Sequence, residues 1–350
     1  MQADFDQLFP TLNRIHATGS IKSQTRDFMV IEHHDMNFTG EGEHLWLKVE
    51  KENSNTGWAA TQLASACKVP ARQVGFAGKK DRHAITQQWF SVQLPKITDV
   101  ELIAEKLPAE LRILEHHWHQ SKLKIGQLTH NEFQLVIRDV QGDQADIEDN
   151  IAAIKHVGVP NYFGSQRFGR DMSNIQQAKD WFTGTIKVNN KNLKGLLLST
   201  ARSHIFNAIV AQRLQNGIWS RPVAGDLLQL NGSHSWFPSD EATADELTQR
   251  LSAFDIHITA ALWGEDPVQS RAECAQLEQS IADQFPEYQT GFAIHRVKQD
   301  RRSMRVMPQS FQHLWQDANT LQLQFKLPPG SYATVVMREI MTCRAANPTL

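Results

Sequence analysis

The rhythm of apolar and polar positions changes twice along the chain. Up to about residue 157 a two-residue period dominates. Asp27-Phe28-Met29-Val30-Ile31-Glu32 and His44-Leu45-Trp46-Leu47-Lys48-Val49-Glu50 read as strands, the second by clear alternation. Asn55 or Thr56 is placed to cap a helix running through Trp58, Leu63 and Ala66. Residues 86–92 are rich in β-formers and predict another strand. Residues 99–107 predict a short helix, and 111–117 and 132–140 predict strands, with Phe133, Leu135 and Ile137 on one face of the latter. Ile147, Ile151 and Ile154 fit one face of a helix that ends near Gly158.

Beyond Gly158-Val159-Pro160 the period lengthens. Residues 161–169, glycine- and aromatic-rich, predict an ordered loop. A long helix over 196–214 puts Leu197, Ala201, Ile205, Phe206, Ile209 and Val210 on its core side. A hairpin is expected on Asn231-Gly232, followed by helices over 241–254 and 268–285. After Arg305 alternation returns in Leu321-Gln322-Leu323-Gln324-Phe325-Lys326-Leu327. Pro328-Pro329-Gly330 breaks it, and Ser331 can cap a last helix through Val335, Val336 and Ile340. The expectation is an α+β protein. A helical block is inserted into a sheet-based domain whose last strand comes from the C-terminal end.

Composition narrows the field. With 350 residues and 41% hydrophobic positions the chain can bury a sizeable core, and disorder throughout is excluded. The net charge of −2 and pI near 6.7 argue weakly against a nucleic-acid binder, yet leave room for a local basic surface. Two stretches qualify: Lys68 to Arg82, and Lys298 to Arg305. The 3 cysteines are far apart without C-x-x-C, which fits neither a disulfide framework nor a thiolate metal site and suits a reducing compartment. The start of the chain has no signal-peptide pattern, and no apolar run is long enough to span a membrane, so a cytoplasmic location is expected.

The candidate chemistry centres on Gly75-Phe76-Ala77-Gly78-Lys79-Lys80-Asp81-Arg82-His83-Ala84. Two glycines three apart permit a close-approaching backbone. Asp81 sits among Lys79, Lys80 and Arg82, cations that favour its charged form and are suited to holding phosphates. The bland alternative is a solvated, charge-balanced turn. A phosphate-binding P-loop is excluded, because G-x-x-x-x-G-K-[ST] is not matched. His116-His117-Trp118-His119 has no identifiable third metal ligand and no H-E-x-x-H, and no G-x-S-x-G anchors a serine hydrolase. Asn131 fits a turn cap or an amide aimed at a base. Phe28 and Tyr332 fit core packing or base stacking. Arg301, Arg302 and Arg305 fit a solvated face or a phosphate grip.

Taken in order, these stretches resemble the TruD family of pseudouridine synthases. Ala77 to Ala84 followed by Thr86-Gln87-Gln88-Trp89 resembles the family's catalytic motif, and Val159 to Gly169 its most distinctive signature. Lys22 through Phe28, Gly126 through Phe133, and Pro329 to Thr334 with Arg338-Glu339 resemble its remaining motifs. The likeness covers nearly the whole chain. It implies a pseudouridine-synthase catalytic domain, mostly antiparallel sheet with flanking helices, over 1–156 and 306–350. An inserted, largely helical domain would occupy 157–305, with a cleft between the two. It implies isomerisation of uridine, at position 13 of tRNA, without metal or cofactor and without an obligate protein partner. Asp81 would be catalytic and Lys22 its basic partner; Phe28, Asn131 and Tyr332 would line the uridine pocket with Phe133 in support. Tyr332 stands where the family pattern has Phe; its ring still stacks. Lys79, Lys80, Arg82, Arg301, Arg302 and Arg305 would hold the RNA backbone. Competing readings are an RNA-binding protein without catalysis and a metal-dependent hydrolase built on His116, His117 and His119.

Overall fold

The computed structural model describes residues 4–94 and 99–345. The chain divides into two compact units: Ile15–Lys155, Pro308–Ala333 and Ile340–Leu350 form one, and Met1–Arg14, His156–Met307 and Thr334–Glu339 the other. Met1–Arg14 and Thr334–Glu339, expected in the sheet-based domain, group instead with His156–Met307.

The first unit is built on a 10-stranded sheet. Its main path runs Gln309–Asp317, Thr320–Leu327, His130–Gln141, Phe28–His33, Ile85–Gln93, His44–Glu52, Leu111–His119. Pairing is antiparallel except between Phe28–His33 and Ile85–Gln93, and between the added strands Thr18–Ile21 and Thr342–Ala345. The sheet forms because the alternation of its strands is inward-apolar: Leu45, Leu47 and Val49 on one strand and Phe90 and Val92 on the next are fully buried. Helix Thr56–Ala66 covers that face with Ala59, Leu63 and Ala64. Strands Thr18–Ile21, Gln309–Asp317 and Thr342–Ala345 were not anticipated. They are short or edge-like, with weak burial patterns, so their pairing partners rather than their own alternation define them.

The second unit carries helices Ser173–Phe182, Lys191–Gln215, Ala272–Ala282 and Pro286–His295. The long one buries the six apolar residues expected of it. Alongside the helices lies a 4-stranded sheet of Trp236–Pro238, Leu227–Leu230, Ile256–Leu262 and Asp300–Ser303. The hairpin forms on Asn231-Gly232, with Gly232 at φ 72°. The signature stretch is a short 3-10 turn, Ser165–Phe168, whose Phe168 packs with Phe5 and Phe9. Among the described residues no helix is long and apolar enough to cross a membrane.

Candidate active site

The loop that carries Asp81 is held at Ala77, Gly78, Lys80 and Asp81. Strand Val74–Phe76 pairs with Phe90–Val92, and a Cβ on Gly75 would meet the Leu123 carbonyl oxygen at 2.4 Å, so glycine is required there. Gly78 differs from expectation: its surroundings are open, the nearest atom being the Lys80 amine at 4.0 Å. The Ala77 carbonyl accepts from the Gly126 amide at 2.7 Å. Gln88 donates to the Gly78 carbonyl at 2.8 Å and accepts from the Thr56 hydroxyl at 2.9 Å. That hydroxyl accepts from the Lys80 amide at 2.9 Å. The Lys51 ammonium donates to the Asp81 carbonyl at 3.0 Å. Lys51, Thr56 and Gln88 are all buried. The loop therefore rests on a polar bed inside an otherwise apolar layer, and its conformation is over-determined.

Above that bed the Asp81 carboxylate is partly exposed, and Lys22 donates to its Oδ2 at 3.0 Å. The Lys22 ammonium also sits 4.3 Å from the centre of the Phe28 ring, so one cation meets a carboxylate and an aromatic face together. Cross-strand register puts Phe28 opposite Leu135, Val30 opposite Phe133 and Glu32 opposite Asn131. Phe28, Phe133 and Asn131 thus share one face of the sheet. Phe133 stacks on Phe325 at 5.6 Å, and Phe325 on Phe311 at 5.3 Å. Asn131 is flanked on its other side by Leu327. Its Oδ1 is buried and has no hydrogen-bond partner in the described residues. Tyr332 follows Leu327 by five residues, past a turn in which Gly330 takes φ 80°, and is half-buried. His83 lies on the same loop. Burial and the charges of Arg82 and Lys22 push its imidazole below the usual range, against the pull of Asp81.

The cations sort into two groups. Lys79 and Arg82 are exposed. Lys80 is not available to a phosphate: its ammonium is bound to Glu32, a buried carboxylate. Burial alone pushes the Glu32 carboxyl up, but His34, Lys80 and the Trp89 amide outweigh it and hold it below the usual range. The Lys298–Arg305 cluster departs furthest from expectation. It is a strand, Asp300–Ser303, paired with Ile256–Leu262. Arg301 points inward, fully buried, with two bonds to Glu278 at 2.7 and 3.0 Å and one to the Thr259 hydroxyl at 2.7 Å. Arg302 donates to Asn161 Oδ1 at 2.6 Å and covers the Phe163 ring at 4.3 Å. Arg305 donates to the Leu251 carbonyl and lies over Phe254; burial pushes its guanidinium down to about 10. Lys298 is bound to Glu265 and Asp266. Arg301 serves the packing of its own unit, because a strand turns every second residue inward and an inward guanidinium must be matched; the Lys298 side chain stays exposed while paired with its two carboxylates. The histidine cluster is likewise engaged: His117 stacks on Phe38 at 4.2 Å and bonds Glu115, while His119 meets Trp46 edge-on.

The model of the family described as tRNA pseudouridine synthase D (TruD) matches residues 11–177 and 170–340. The chain belongs to the TruD family. Among curated TruD proteins, that of Hydrogenovibrio crunogenus is 42% identical over 323 residues, covering 92% of each chain. That of Xanthomonas campestris pv. campestris strain 8004 is 41% identical over 348 residues, covering 95% of this chain and 94% of the relative. The TruD crystal structure from Methanosarcina mazei superimposes with a TM-score of 0.71 over 95% of both chains at 20% identity, which establishes the shared fold.

In this TruD chain the residues whose part in the site sequence reasoning missed are Lys51, Thr56, Gln88 and Glu32, Thr56 being expected only as a helix cap and Gln88 only as part of a motif. A signal for three of them was present, Glu32 continuing the inward phase of Phe28 and Val30. Lys51 continues the series Leu45, Leu47, Val49, and Gln88 precedes Phe90 and Val92 in the same phase. A polar side chain in the inward phase of an alternating strand is either satisfied by something buried or is an error of register. Here it is satisfied by the loop.

Proposed function

We propose that the protein isomerises uridine 13 of tRNA to pseudouridine with Asp81 as the reacting carboxylate and without a cofactor. Membership of the TruD family makes the chain a pseudouridine synthase, an isomerase acting on uridine in tRNA. The observation that carries the assignment to Asp81 is the Lys22–Asp81 contact at 3.0 Å, made on the Phe28 ring by a carboxylate that is still open to solvent.

The chemistry explains why an anion belongs on a loop that also carries exposed cations. The N1–C1′ bond breaks, the base turns, and C5 bonds to C1′. C5 gives up its proton and N1 gains one, so there is no net oxidation. A carboxylate serves this either as a nucleophile or as a base toward the sugar. The target base leaves its stack to reach the site. Stacking on Phe28 or Tyr332, at about 1–3 kcal/mol per base, offsets part of that cost. The Asn131 amide supplies a buried polar contact for the uracil edge, and Lys79 and Arg82 hold phosphates. The test is tritium release from tRNA carrying [5-³H]uridine. Asp81→Asn is expected to abolish release while tRNA binding persists, and undiminished release in that variant refutes the assignment.

A further inference from the structure

We infer that Lys51 is a positioning residue for the reaction, setting the direction of the Asp81 side chain through the Asp81 backbone carbonyl. The inference rests on the reading of Asp81 as the reacting group and adds a residue to it.

Lys51 is completely buried, and among the described residues it makes no ion pair. Its ammonium donates to two main-chain oxygens, Ser54 at 2.6 Å and Asp81 at 3.0 Å. A buried ammonium without a carboxylate at contact distance is expensive. A leucine or methionine would continue the apolar series of Leu45, Leu47 and Val49 and avoid that cost. The charge is therefore explained by what it holds. Ser54 lies in the turn after strand His44–Glu52, and Asp81 lies on a loop about thirty residues further along the chain. One ammonium ties the two together, fixes the Asp81 carbonyl, and so fixes the direction in which the Asp81 Cα–Cβ bond leaves the backbone, toward Lys22. Thr56 and Gln88 fix Lys80 and Gly78 on the N-terminal side of the same residue.

The charged surroundings of Lys51 are simple. Helix Thr56–Ala66 and strand Ile85–Gln93 carry no titratable side chain, and strand Leu111–His119 presents Leu111 to it in register. Glu50 and Glu52 occupy the opposite phase of its own strand. On the loop, Asp81 favours its charged form and Lys80 opposes it; Lys22 faces Asp81, and Glu32 faces Lys80. Burial is the largest effect and pushes the Lys51 ammonium down to about 8. Loss of its proton replaces two charge-assisted bonds by weaker amine bonds.

The experiment measures single-turnover tritium release from [5-³H]uridine tRNA against pH, together with tRNA binding, for the full chain and for Lys51→Met. The wild type is expected to lose rate with a midpoint near pH 8. Lys51→Met is expected to bind tRNA within about threefold of wild type, to react roughly 30-fold or more slower, and to show no such limb. A variant with wild-type rate and profile overturns the inference, as does a loss that appears entirely in binding. If Lys51→Met does not fold, the wild-type profile decides: a midpoint near pH 8 supports the inference, and a rate flat to pH 9.5 overturns it. Active Asp81→Asn would instead remove the reading on which it rests, a result distinguishable from a silent Lys51→Met beside an inactive Asp81→Asn.

Discussion

Lys22 occupies a backbone conformation with φ 56°, a region side-chain-bearing residues adopt at a cost of order 1 kcal/mol. It is held there by a carboxylate on one side and an aromatic face on the other. Lys22→Met keeps the stem over Phe28 and removes the charge. We expect it to slow tritium release by about 10- to 100-fold, or about 1.4–2.7 kcal/mol in the barrier, with tRNA binding nearly unchanged. Equal single-turnover rates for the variant and wild type would show that the contact is incidental. At this scale Asp81 and its cationic neighbours were readable from the chain, because a lone acid among bases stands out. Which base pairs with it was legible only through the family resemblance, which pointed to Lys22. Lys80, adjacent in sequence, is spent on Glu32, whereas Lys22, 59 positions away, meets the carboxylate.

Elements depend on single buried groups as much as on their own periodicity. Helix Ala333–Arg338 is followed by Glu339, which accepts from the Leu12 and Asn13 amides at 2.8 and 3.1 Å and ties the N-terminal segment to the helix end. Burial pushes its carboxyl up to about 7, although those amides and Arg338 pull the other way. The native state therefore holds a proton that the unfolded chain, titrating near 4.5, has already released. This contribution to stability is complete below pH 4.5 and is lost as pH rises to about 7, to an extent of about 3 kcal/mol. Glu339→Gln carries no such titration. Denaturant melts at pH 5 and pH 8 are expected to show the variant gaining on the wild type at the higher pH. A constant difference between the two proteins at both values argues against the titration. The helix was legible from Pro-Pro-Gly and Ser331; what its last turn captures was not, since that partner is 327 positions away.

For the whole molecule, a net charge of −2 hides an uneven distribution of binding capacity. Many of its arginines and lysines are paired internally, so the total says little about affinity for a polyanion. Affinity for tRNA is expected to fall steeply with salt all the same, because exposed Lys79 and Arg82 flank the Asp81 carboxylate. Lys79→Ala and Arg82→Ala should each reduce the slope of log affinity against log salt by about 1. Arg301→Met should leave that slope alone and instead cost about 3–5 kcal/mol of stability, because it strands buried Glu278. Filter binding across a salt series and a urea melt separate the two effects; an Arg301 variant that shifts the slope would return that residue to the RNA surface.

The linear chain determined the kinds of element and the chemistry present. Alternation and helical spacing follow from local sterics and from which face must leave water, and both are written in neighbouring residues. The Asp81 motif, the 159–169 signature and the hairpin on Asn231-Gly232 are of this kind. Tertiary structure decided which cations are free. Whether Arg301 faces solvent or Glu278, and whether Lys51 is an interruption in an apolar strand or the anchor of a loop, depends on what packs opposite. A charge costs little in water and much in a core, so its meaning changes with burial, and burial is set by residues far away in the sequence.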